Sequence, residues 1–291
     1  MENELTTEVI HCPACGSATR PWIVAKGFPI RTCGGCGMKF VYPLPSNVSG
    51  VYGADYFFGA KGGFGYVNYD QDKRAMEPIL KKYLALIEER RPERGRLLDV
   101  GAATGVFVAL AQRAGWQAEG IEISSAAVAA AKTKGLPVTE ATLESLDGES
   151  LYDAITFLDV LEHLPDPAQA LRIAHRLLRP GGVIAVNVPD AGSLYARVMG
   201  RAWHAIVPPE HLSYFTFSSL DRLLVDRGFQ NIRGRAINKS FSAPYLAATC
   251  GRWLGWRWLA KAASALERSR MGKLALPVPL FDNLMVIAQK K

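Results

Sequence analysis

Four sets of residues have types and spacings suited to chemistry. The first is Cys12-Pro13-Ala14-Cys15 and Cys33-Gly34-Gly35-Cys36, two Cys-x-x-Cys pairs with 17 residues between them. Two such knuckles can set four thiolates tetrahedrally, the arrangement Zn²⁺ takes in a closed structural site. Gly16 and Gly37, one after each pair, allow turns whose N–H groups face sulfur. Cys12, Cys15, Cys33 and Cys36 are therefore candidate metal ligands. Redox dithiols would be expected inside a βαβ pattern, which surrounds neither pair. His11 reads as a bystander. A site with no open coordination position folds its module and performs no reaction, so ribbon and main domain are expected to fold separately.

The second set begins with Leu97-Leu98-Asp99-Val100-Gly101-Ala102-Ala103-Thr104-Gly105. An apolar run ends in an acid, turns on small residues and enters a helical pattern. Gly101 and Gly105 let the backbone bend and leave room for an approaching ligand. The Lys-Ser/Thr pair of a phosphate loop is missing, and the spacing is G-x-x-x-G, not G-x-G-x-x-G. Glu122 closes the next strand about 20 residues on, where a carboxylate can accept both hydroxyls of a ribose. The bland alternative is a Gly-rich turn in another doubly wound domain, with a nicotinamide enzyme as its main form.

Asp159, Glu162 and His163 form the third set, at the carboxyl end of a predicted strand, where doubly wound sheets hold their chemistry. The fourth is His211 in Pro208-Pro209-Glu210-His211-Leu212-Ser213-Tyr214-Phe215. Histidine titrates near neutral pH and suits a general base. His163 and His211 come from different loops that can converge over a ligand. Either one alone also reads as a structural histidine bonding a loop carbonyl. His175, inside a helix, reads as structural; His204 stays open.

Asp99-Val100-Gly101-Ala102-Ala103-Thr104-Gly105 with Glu122 resembles the cofactor motif of class I S-adenosylmethionine (SAM) methyltransferases. The resemblance implies cofactor contacts at Asp99, Gly101, Ala102, Gly105, Glu122 and Asp159. It also implies a loop against the adenine at Thr142 and Leu143. Leu161-Glu162-His163-Leu164-Pro165-Asp166-Pro167 resembles a loop of quinone-biosynthesis O-methyltransferases, some of which hold a divalent cation on an acid-x-x-Glu-His cluster. That implies a cation at Asp159, Glu162 and His163, although Asp159 is one methylene shorter than the usual Glu. The Pro208–Phe215 segment resembles stand-alone methyltransferases with N-terminal zinc ribbons. The implied roles are catalytic for His163, His211 and Glu162, with Tyr56 and Tyr214 as fallback bases.

The elements that must position these residues follow from periodicity. A helix is expected over 72–91. Strands are expected over 96–100, 118–123, 136–139, 151–158, 183–188, 229–237 and 284–288. Helices are expected at 106–113, at 124–134 with Ser124-Ser125 as cap, at 168–178 and at 216–227. This alternation argues an α/β, doubly wound, Rossmann-like seven-stranded sheet. A small zinc ribbon spans 1–45, and an aromatic, Gly-rich linker or lid with Tyr56 and Tyr66 spans 46–74. The methyltransferase domain spans 75–291. Its insertion at 241–276 carries Trp253, Trp256 and Trp258; on a helical wheel Arg257, Lys261 and Arg268 cluster on one side, with Trp256, Leu259, Ala262 and Leu266 roughly opposite. That insertion reads either as a cap or as an amphipathic surface for a membrane or a lipid-linked substrate.

The chain has 291 residues and a net charge of +7. Residues 1–74 carry +1 and residues 75–230 carry −3. The last 61 residues carry +9. A nearly neutral ribbon argues against a zinc-ribbon RNA methyltransferase. So does Asp159-Val160-Leu161-Glu162 where base N-methylation uses Asn-Pro-Pro-Tyr. A non-catalytic SAM-binding protein is the third class considered. With no long apolar run and an acidic start, neither a membrane span nor a signal peptide is expected. The expected setting is cytoplasmic, with peripheral membrane contact through 241–276 left open. The expected acceptor is a small-molecule, sugar or lipid-linked intermediate, methylated on oxygen or carbon.

Overall fold

The computed structural model describes residues 9–45, 77–242 and 275–291. The linker with Tyr56 and Tyr66, and most of the 241–276 insertion, lie outside them. Three antiparallel strands, β1 (Thr19–Ala25), β2 (Phe28–Cys33) and β3 (Lys39–Val41), open the chain. Lys26 and Gly27, both at positive φ, make the β1–β2 turn, as the twist of a two-residue hairpin demands.

The main sheet holds seven strands. These are β4 (Arg96–Val100), β5 (Gln117–Glu122), β6 (Val138–Glu140), β7 (Tyr152–Leu158), β8 (Leu178–Pro189), β10 (Phe229–Ser242) and β11 (Ala275–Lys290). Their order is β10-β11-β8-β7-β4-β5-β6, parallel except for β11, which runs antiparallel to both neighbours. The strand order reverses between β4 and β7, and doubly wound sheets open a binding crevice at such a reversal. β7 is buried almost throughout because both its faces are covered.

Along β8 the side chains alternate between two cores. Val183 and Ala185 join a cluster with α1 (Glu77–Glu88), α2 (Val106–Arg113) and α3 (Ser125–Thr133). Ile184, Val186 and Val188 join one with α4 (Pro167–Leu177) and α6 (Phe217–Asp226), the short α5 (Leu194–Met199) coming between these two in the chain. The Asp166 carboxylate caps α4, accepting from Gln169 N at 2.8 Å with Pro167 in the first turn. Thr216 and Ser219 form a reciprocal capping box on α6. Ser124 stands at the start of α3 as expected, but its side chain makes no cap bond. Its N–H goes to Glu122 instead.

At the amino end of the strands, buried Asp153 gathers three partners. Arg91 Nη2 lies at 2.7 Å, Arg179 Nη1 at 2.6 Å, and Arg96 N donates at 2.9 Å. Burial opposes the charge, but the amide and the two guanidiniums outweigh it and hold the carboxyl below its usual range.

Three expectations need correction. The ribbon is not a separate unit: β9 (Ser213–Tyr214) adds to β3, making a four-stranded sheet β1-β2-β3-β9. Cys12, Cys33 and Cys36 also share one apolar cluster with Leu98, Phe157 and Leu220. The last two strands are longer than expected. β10 continues past Ile237 through a register shift, and β11 starts at Ala275 although Pro277 and Pro279 read as breakers. The insertion between them is correspondingly shorter.

Candidate active site at the carboxyl ends of the strands

The loop after β4 is tightly tied. Gly101 N and Ala102 N both donate to Ile121 O at 2.9 Å, and Gly105 N to Ala102 O at 2.9 Å. Gly101, Ala103 and Gly105 all lie at positive φ. The glycines serve packing as well as ligand approach. A Cβ on Gly101 would stand 2.5 Å from Val160 Cγ2, and one on Gly105 would stand 2.7 Å from Leu136 Cδ1. Room for a ligand is thus not the only reason for glycine there. Asp99, also buried, accepts from Thr156 Oγ1 at 2.6 Å.

Glu122 ends β5 only 6% exposed. Its Oε2 accepts from Ala103 N at 3.0 Å, and its Oε1 accepts from Ile123 N and Ser124 N at 2.9 Å. Burial pushes its carboxyl above the usual range, while these three amides pull the other way. The carboxylate thus braces the Gly loop through Ala103 N. Thr142 precedes the single turn Leu143–Ser145, and Leu143 is buried. Ala141 N donates to the main-chain carbonyl of Glu122 at 3.1 Å, which ties the approach to this turn to the end of β5.

β7 ends at Leu158, and Asp159 takes a left-handed conformation with its N–H on Asn187 O at 3.0 Å. The chain then folds into one tight turn, Leu161–His163. His163 Nδ1 lies 2.8 Å from Glu210 O, and His211 Nδ1 lies 2.8 Å from Ala205 O. A carbonyl oxygen only accepts, so each Nδ1 carries the hydrogen. In the neutral rings each Nε2 therefore carries the lone pair. The two imidazoles meet edge to face with centroids 4.8 Å apart. Glu162 Oε1 lies 3.8 Å from His163 Nε2. One ligand atom from each of Glu162, His163 and His211 falls within a 4.8 Å group.

The grouping differs from the expected cation set, since Asp159 is absent and His211 takes its place. The left-handed Asp159 ends the strand before the turn that carries Glu162 and His163 toward the 205–211 loop. Tyr214 is also unsuited to act as a base. It is buried, its Oη donates to His211 O at 3.0 Å, and burial holds its phenol well above the usual range. His175 packs edge-on against Phe229, and His11 Nδ1 bonds Gly16 O. His204 Nε2 stands 3.6 Å from Asp282.

The other cluster is the cysteine set. Cys12 and Cys36 sulfurs lie 3.6 Å apart, and those of Cys15 and Cys33 lie 3.4 Å apart. All four sulfurs fall within 4.8 Å of one another. Tetrahedral Zn–S bonds of about 2.3 Å imply S···S edges near about 3.8 Å, so the four residues fit zinc. Gly16 N on Cys12 O and Gly37 N on Cys33 O repeat the same turn in both knuckles. The Cys36 thiol beside Cys12 pulls the Cys12 pKa down to about 5.

A seven-stranded sheet of this order, with a Gly loop and carboxylate at its switch point, defines the class I methyltransferase fold. The methyltransferase domain family model matches residues 70–233, and the chain belongs to that family. Among curated relatives, the ubiquinone biosynthesis O-methyltransferase of Alkalilimnicola ehrlichii is 38% identical over 98 residues, 31% of this chain and 40% of the relative. That of Psychrobacter arcticus is 26% identical over 209 residues, 63% of this chain and 73% of the relative. The chain spans less than half the length of several of the relatives it matches, 40% and 47% in two of them. A SAM-dependent methyltransferase from Archaeoglobus fulgidus shares the fold at TM-score 0.51 and 19% identity, covering 75% of this chain and 94% of that one. The YcgJ protein of Bacillus subtilis does so at 0.51 and 17%, covering 75% and 99%.

Sequence reasoning missed β9. A two-residue strand carries no period, and its partner β3 lies about 170 residues away. The apolar–polar–apolar order of Leu212-Ser213-Tyr214 is the signal the sequence offers for it.

Proposed function

We propose that this protein transfers the methyl group of SAM to a hydroxyl of a small-molecule acceptor, with the His163–His211 pair receiving the hydroxyl proton. The carrying observation is the geometry of both rings: each Nδ1 lies 2.8 Å from a carbonyl oxygen, which assigns the ring hydrogen to Nδ1 and makes each neutral Nε2 a proton acceptor, that of His163 standing 3.8 Å from Glu162. The buried Glu122 carboxylate and the loop it braces fit SAM, with Glu122 toward the ribose and Asp99, Gly101, Ala102, Gly105, Thr142 and Leu143 around it. The cofactor supplies an electrophilic methyl on a sulfonium. The chain's task is to hold the acceptor oxygen in line and take its proton as the O–CH₃ bond forms and the S–CH₃ bond breaks. A protonated imidazole next to the Glu162 carboxylate, which is 1% exposed, is stabilised by that charge.

The second reading has a divalent cation on Glu162, His163 and His211, and rests on the convergence of one ligand atom from each. A bound cation would lower the acceptor hydroxyl's pKa directly. Sugar or lipid-linked acceptors, a carbon acceptor, and membrane contact through the 241–276 region extend the same proposal. Among the described residues no helix is long and apolar enough to cross a membrane.

The test incubates the protein with SAM and a panel of catechols, sugar nucleotides and polyprenyl phenols, reading S-adenosylhomocysteine by mass spectrometry. His211→Ala should lower turnover about 10²–10⁴-fold and leave SAM affinity intact. Activity insensitive to EDTA supports the imidazole base, whereas activity lost in EDTA while zinc analysis shows the cysteine site still loaded, and restored by Mg²⁺ or Mn²⁺, supports the cation. Near-normal turnover in both His163→Ala and His211→Ala would remove the pair from the reaction.

A further inference from the structure

The ribbon is expected to be an independent structural module, yet its third strand runs into the catalytic region. We infer that the ribbon is a positioning element: its metal knuckle, acting through β3 and β9, fixes where His211 and the Glu162 turn stand. This rests on the reading of Glu162, His163 and His211 as the acceptor site.

The link is short and mostly backbone. Val41 N, at the end of β3, donates to Leu212 O at 2.9 Å, and Leu212 N donates to Glu162 O at 2.9 Å. Leu212 therefore spends both main-chain groups joining ribbon to catalytic turn. His211 is the adjoining residue. Its carbonyl receives Tyr214 Oη, and Tyr214 pairs with Lys39 of β3. Its ring is aligned by Ala205 O. Ala205 in turn packs in one buried cluster with Ile30 and Val41 of the ribbon and with Trp203 and Tyr214. The carbonyl and the ring of His211 are thus held by residues that pair with or pack in one cluster with the ribbon, while its N–H goes to Val207 O at 3.2 Å. At the knuckle itself, Thr216 Oγ1 donates to Cys36 O at 2.8 Å. A two-residue strand has no stability of its own; β9 is ordered because β3 is, and β3 leaves directly from the second cysteine pair. Among the described residues no comparable backbone hydrogen bond ties the ribbon to Glu122 or the Gly loop, which meet it only through the shared apolar cluster that includes Val100 and Ile121. Loss of the metal is therefore expected to disturb the acceptor side and spare the cofactor side.

The experiment compares the full-length, zinc-loaded protein with Cys33→Ser/Cys36→Ser by amide hydrogen exchange, with zinc measured by elemental analysis. Leu212 N–H should exchange at least about tenfold faster without the metal, the scale of one lost backbone hydrogen bond's local protection. Ala103 N–H, held by Glu122, should stay protected, and the calorimetric Kd for SAM should stay within about twofold. Unchanged exchange at Leu212 after metal loss, or equal acceleration at Leu212 and Ala103, would overturn the coupling. Tyr214→Phe guards against a misfolded ribbon. It should retain one zinc per chain and unchanged KM for SAM while kcat with a catechol acceptor drops about three- to tenfold, the worth of one hydrogen bond. A kcat equal to wild type would overturn Tyr214's positioning role. Accelerated Leu212 exchange with undiminished turnover in the cysteine variant would confirm the coupling and sink the catalytic reading instead.

Discussion

Glu122 is asked to do two things at once: brace three loop amides and, in the proposed function, face a ribose. Glu122→Ala removes both. SAM affinity should weaken by about 2–3 kcal/mol, as expected when a charged hydrogen-bonding group is lost. The three donors left behind should also lower the stability of the cofactor domain by about 1–3 kcal/mol. Calorimetry on SAM and a denaturant titration separate the two effects; unchanged affinity would take Glu122 out of the cofactor site. The sequence made Glu122's place at a strand end legible through spacing alone. Its distant amide partner, Ala103 N, was not legible, because it depends on the left-handed turn at Ala103 rather than on any residue type. The same holds for the two histidines. Their presence in separate loops was readable, whereas the shared direction of their Nε2 atoms is set by the carbonyls of Glu210 and Ala205.

Elements built from long apolar runs were readable nearly to the residue: β4 falls on 96–100 and α2 on 106–113. Short or proline-bearing elements were not. β9 has two residues, and β11 includes Pro277 and Pro279, which sequence reading treats as stops. The Gly loop shows how an element's demand differs from a ligand's. Gly101 has φ +71° and faces Val160 at a distance no Cβ tolerates. Gly101→Ala should therefore destabilise the fold by about 2–4 kcal/mol, from left-handed strain plus overpacking. Adding Val160→Ala should recover the packing part and leave the strain part. If the double variant is no more stable than the single one, Val160 is not what excludes the side chain.

At the scale of the molecule, Asp153 ties the end of α1, the start of β4 and the start of β8. Its folded carboxyl lies below the ordinary value, so it adds stability above the unfolded-state pKa of about 3.9. That contribution is lost as pH falls toward and through the lower folded value. Asp153→Asn should cost about 1–3 kcal/mol at pH 7, since it removes the buried charge that the partly exposed Arg91 and Arg179 recognise. The gap between variant and wild type should narrow as pH is lowered from 5 to 3, read from urea midpoints. A gap independent of pH would mean that the arginines do not recognise the charge. Ribbon and sheet, by contrast, form one assembly that composition did not announce. The cysteine spacing was legible, but the surface the ribbon would cover was not.

β10 and β11 extend well beyond the main sheet and are still paired at Ser242 opposite Ala275. Directly opposed residues in an antiparallel pair have Cα atoms only about 4.5–5.5 Å apart. The whole of residues 243–274 therefore enters and leaves the fold through one narrow doorway. Its closure entropy is set at that doorway and rises only slowly with length. A change in the number of residues between Ser242 and Ala275 is therefore expected to leave the register of β10 against β11 in place.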